Sequence, residues 1–75
     1  MNDHEATVEV GWVARRAREL MLQPIGSENC AEWAEFYTRK ARLLEHIGEA
    51  ELAARAHSQA AAYAPGGAYY REPQQ

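Results

Sequence analysis

Residues 31–65, AEWAEFYTRKARLLEHIGEAELAARAHSQAAAYAP, constrain the fold more than any other part of the chain. They consist largely of good helix formers, interrupted at Gly48 and stopped at Pro65. Glycine adopts the left-handed conformation that closes a helix, and proline cannot continue one. Two helices follow, over about 28–47 and 50–63, joined by a tight turn. Small residues fall where the two would have to approach closely.

The first of these helices has a clear polarity. Ser27 is one candidate N-cap. Asn29 is the other, with Glu32 as its capping-box partner three residues on. Glu28, Glu32 and Glu35 occupy the early turns, whereas Arg39, Lys40 and Arg42 come later, as the helix dipole favours. Glu35 and Arg39 have the spacing of a favourable ion pair. Cys30, Trp33, Tyr37, Ala41 and Leu44 form one apolar stripe, and Phe36, Leu43 and Ile47 form another beside it. So broad an arc suits a helix held between two neighbours. Leu44 reads as core, so that its truncation to Ala should severely weaken the domain. In the second helix, Leu52, Ala56, Ala60 and Tyr63 line one face, and Ala53, His57, Ala61 and Ala64 the next.

A further helix is expected over about 5–22. Ala6, Val10, Val13, Ala17 and Leu20 alternate at spacings of four and three, with Ala14 and Met21 widening the stripe. Val8 and Trp12 lie off it. Asn2 with Glu5 can form a capping box, Thr7 is a later candidate cap, and Pro24 ends the helix. Gly11 and the β-branched Val8 and Val10 weaken the first turns, which leaves open an extended start with the helix beginning near Trp12. The fold class is therefore all-α: one small domain over 1–75, an N-terminal helix packed on an antiparallel helical hairpin, with 66–75 a mobile tail.

Large aliphatic residues are scarce. Val, Leu, Ile and Phe total 11 of 75 residues, below the roughly 20% at which disorder becomes a concern. A net charge of only -3, together with two Trp and four Tyr, argues for folding. The expected core is thin and alanine-packed, completed by a partner or a second copy. The single Cys30 excludes an intrachain disulfide. The N-terminus has neither the basic nor the apolar region of a secretory signal, and no run approaches the ~18 apolar residues of a membrane span. A cytoplasmic protein without membrane contact is expected, with the Ala- and Arg-rich composition of a GC-rich bacterial genome.

The hairpin carries a more specific spacing. Tyr37, Ala41, Leu44, Ala53, His57 and Pro65, with Gly48 in the turn and Ala60 at the second small position, resemble one unit of the tetratricopeptide-repeat family. The resemblance covers about residues 34–65. Lys40 stands where the family has an apolar residue, and His57 where it has an aromatic one, so the unit is degenerate. The family implies a helix- or peptide-binding surface, and normally three or more stacked units, of which this chain has one.

No residues assemble into a catalytic pattern. No phosphate loop, dinucleotide fingerprint or nucleophile elbow is present. His4, His46 and His57 lack metal-ligand spacing, so neither a metal nor a cofactor is expected. Cys30 has no nearby His or Asp in sequence and reads as a small buried residue beside Trp33. Arg15, Arg16 and Arg18 form one basic cluster, and Arg39, Lys40 and Arg42 another. Acidic residues outnumber basic ones 11 to 8, so both clusters read as ordinary surface and nucleic acid is not the expected partner. Residues 50–67 faintly resemble a DNA-reading helix-turn-helix, with ELAARA as its first helix and a break at His57-Ser58. Pro65 and the lack of base-reading residues beyond Gln59 count against that reading.

A non-enzymatic interaction module is the expected function, binding a protein partner or its own kind as a homo-oligomer. A small DNA-binding regulator is the alternative. The candidate partner-binding residues are Trp12, Arg15, Arg16, Lys40, His57, Tyr69 and Tyr70. For the tyrosine pair, a tail folded back over the hairpin is the competing expectation.

Overall fold

The computed structural model describes residues 1–23 and 29–72. Three helices make up the fold: α1 (Asp3–Met21), α2 (Cys30–His46) and α3 (Ala50–Tyr63). The expected all-α hairpin with an N-terminal helix against it is what forms.

Helix α1 starts earlier than the glycine and β-branched residues suggested, because its first turn is capped. Asn2 is the N-cap, and its side-chain oxygen accepts the Glu5 amide at 2.8 Å. The Asn2 amide donates in turn to the Glu5 carboxylate at 3.1 Å. Satisfying an otherwise orphaned N–H contributes about 1 kcal/mol, enough to offset Gly11. Thr7 does not cap; its hydroxyl bonds back to the Asp3 carbonyl. The helix ends at Met21 with Leu22 as C-cap. The stops expected at Pro24 and Gly26, and the cap expected at Ser27, lie outside the described residues, as does Glu28.

Asn29 is the N-cap of α2, yet the expected capping box does not form. Asn29 turns its side chain to Gln23, and Glu32 accepts from Gln23 at 3.2 Å and pairs with Arg16. Both residues therefore tie α2 back to α1. The turn after α2 has the geometry its glycine predicts. Gly48 sits at φ 85°, its N–H donates to Glu45, and the Glu49 N–H donates to Leu44. This satisfies two of the last carbonyls of α2.

Helix α2 is the centre of the molecule. It packs closely against α3 and more lightly against α1, and α1 and α3 do not touch. Both neighbours run antiparallel to α2. Across one seam Asp3, Glu9 and Arg16 meet His46, Arg39 and Glu32; across the other, Tyr63 meets Trp33 and Tyr37 near the start of α2. The result is a single helical layer, 41 × 22 × 16 Å, rather than a closed bundle.

The two seams are built differently. Between α2 and α3 the buried residues are Ala41, Ala53, Ala56 and Ala60, which let the backbones approach, and Trp33, Tyr37 and Tyr63 stack at the open end. Between α1 and α2, Leu20 and Phe36 are buried and Trp12 leans on Phe36. Leu43 is also buried, whereas Leu44, expected to be core, is only half-buried. Cys30 is likewise half-buried, with its thiol 3.6 Å from the Tyr69 carbonyl oxygen.

That contact belongs to a tail that folds back. Tyr69 donates its N–H to Ala62, and its ring lies 5.5 Å from that of Tyr63. The expectation of a loose tail from residue 66 gives way to a return turn through Tyr70. Gly67 makes the turn possible, because a Cβ there would lie 2.2 Å from the Ala61 carbonyl oxygen.

Candidate functional site

The stripe that should have bound α1 to its neighbour is not the face that does so. The side chains turned to α2 are Glu9, Trp12, Arg16 and Leu20. Arg39 donates its Nε to Glu9 at 3.0 Å, and a second N–H to the other oxygen of the same carboxylate. Its guanidinium also lies 3.6 Å from the centre of the Trp12 ring. A forked, partly shielded pair of this kind contributes more than an exposed one. Arg39 holds the Glu9 carboxyl below its usual range, and Glu9 raises the Arg39 guanidinium. Glu35, the expected partner of Arg39, is only an electrostatic neighbour.

Because these groups define the seam, the apolar stripe of α1 is rotated beside it. Val10 is 54% exposed and Met21 is 77% exposed; Ala14 is open, and Ala6, Val13 and Ala17 are half-covered. Two contacts fix which side of the layer this is. An open cleft of about 380 Å³ between α1 and α2 is lined by His4, Val8, Glu9, Arg39 and Arg42. Val8 and His4 lie on the flank of α1 opposite the stripe. On α3, His57 reaches Glu45 of α2 at 2.8 Å, on that same cleft side. The opposite side of the layer therefore gathers the α1 stripe, Lys40 and the C-cap Ile47 of α2, and Leu52, Arg55 and Gln59 of α3. Ile47 and Leu52 are exposed there, and the Lys40 ammonium lies 6.0 Å above the Phe36 ring.

The residues expected to bind a partner are not brought together. Lys40 alone lies on the apolar side. Trp12 is covered by Arg39 in the seam, and Arg16 is held there by Glu32 at 3.4 Å and Glu19 at 3.7 Å. Arg15 is exposed on the cleft side, and His57 is paired with Glu45. Tyr69 and Tyr70 lie in the return turn, with Tyr69 exposed and Tyr70 half-buried. Val10, Met21, Ile47 and Leu52, which the sequence places on apolar stripes, are exposed. The available signal was the charged pairs at 9 and 39 and at 16 and 32, whose antiparallel spacing claims the seam for another face of α1.

Burial raises the Tyr37 phenol above its ordinary pKa, with nearby Tyr63 adding to the effect. Among the described residues no three His, Cys, Asp or Glu side chains converge as metal ligands, and no helix is long and apolar enough to cross a membrane. No family model matches the chain, and neither a curated protein nor a solved structure is similar to it.

Proposed function

We propose that this chain is a small non-enzymatic interaction module that binds a protein partner through the open apolar side of its helical layer. The observation that carries the reading is that α1 and α3 do not meet, so part of the α1 stripe, with Val10, Ala14 and Met21 exposed, lies uncovered. Stable domains normally bury such stripes between packed layers.

A degenerate tetratricopeptide-like hairpin is consistent with this reading. The small residues at 41, 53 and 60 are buried, and Gly48 takes the left-handed turn. The DNA-binding alternative requires a break at His57-Ser58, but α3 runs unbroken from Ala50 to Tyr63. Affinity capture from the native host's lysate, with and without nuclease, tests the proposal. A stoichiometric protein that survives nuclease supports it. Recovery of nucleic acid alone, or of proteins lost on nuclease treatment, refutes it.

A further inference from the structure

We draw no further inference here: the strongest candidate, the exposed strip of Val10, Ala14 and Met21 along α1 on the open side of the layer, carries none beyond the proposed function, because nothing in the structure shows what covers it.

Discussion

Replacing Ala41 with Leu should destabilise the fold, although both residues are excellent helix formers. Ala41 is 0% exposed, and the α3 residues that share its seam, Ala53, Ala56 and Ala60, are buried as well. Leucine adds three carbon atoms where the two backbones approach most closely. Such overpacking costs about 1–3 kcal/mol. For 75 residues the unfolding entropy near the midpoint is about 160 cal/mol/K, so 2 kcal/mol lowers the melting temperature by about 13 °C. Thermal unfolding followed by far-ultraviolet circular dichroism measures the shift. Ala14→Leu is the control: the same change on the same kind of element, but on the open strip, where it should move the midpoint by less than about 3 °C. If Ala41→Leu melts within 2 °C (about 0.3 kcal/mol) of the parent, or Ala14→Leu falls as far as Ala41→Leu, the alanine seam does not hold the hairpin together.

Leu20→Ala should cost about 2–5 kcal/mol, because Leu20 is 2% exposed, while Leu22→Ala, at 86% exposed, should cost almost nothing in a urea titration. By the same measurement Leu43→Ala should be more damaging than Leu44→Ala. Glu9 has a lowered pKa in the folded state, so its stabilisation is full above the ordinary value of 4.5 and is lost as pH falls through the lower folded value. Glu9→Gln should therefore be less stable than the parent at pH 7, and the gap should narrow below about pH 4; a constant gap would dissociate the effect from titration. Gly67→Ala should undock the return turn, since its Cβ would collide with the backbone of Ala61 and Ala62, and near-ultraviolet circular dichroism should report the loss of the Tyr63–Tyr69 contact.

How much was legible in the sequence differs between the two seams. The hairpin follows from local chemistry, since Gly48 sets its turn and alanine spacing its seam. The cap at Asn2 with Glu5 was equally local. The orientation of α1 was not. Its apolar stripe competes with Glu9, Trp12 and Arg16 for the face turned to α2, and only the positions of Arg39, Phe36 and Glu32 on the neighbouring helix decide the outcome. Hydrophobic periodicity identified the stripe and assigned it to the core, where a three-helix bundle would have put it. The candidate site was missed for the same reason: Val10 and Met21 resemble core residues until α3 is seen to lie on the far side of α2. Asn29 and Glu32 show the same effect on a smaller scale, a local cap giving way to contacts with Gln23 and Arg16.

Binding through the open side requires the α1 strip to be presented to a partner and not packed within the chain. The most direct test compares host-protein capture by the parent with capture by Val10→Glu, at a temperature where both are shown to be folded. The expected result is a stoichiometric protein retained by the parent and lost from the variant, with melting temperatures alike. Equal capture by both would contradict the account, as would a variant that fails to fold because Val10 belongs to the core.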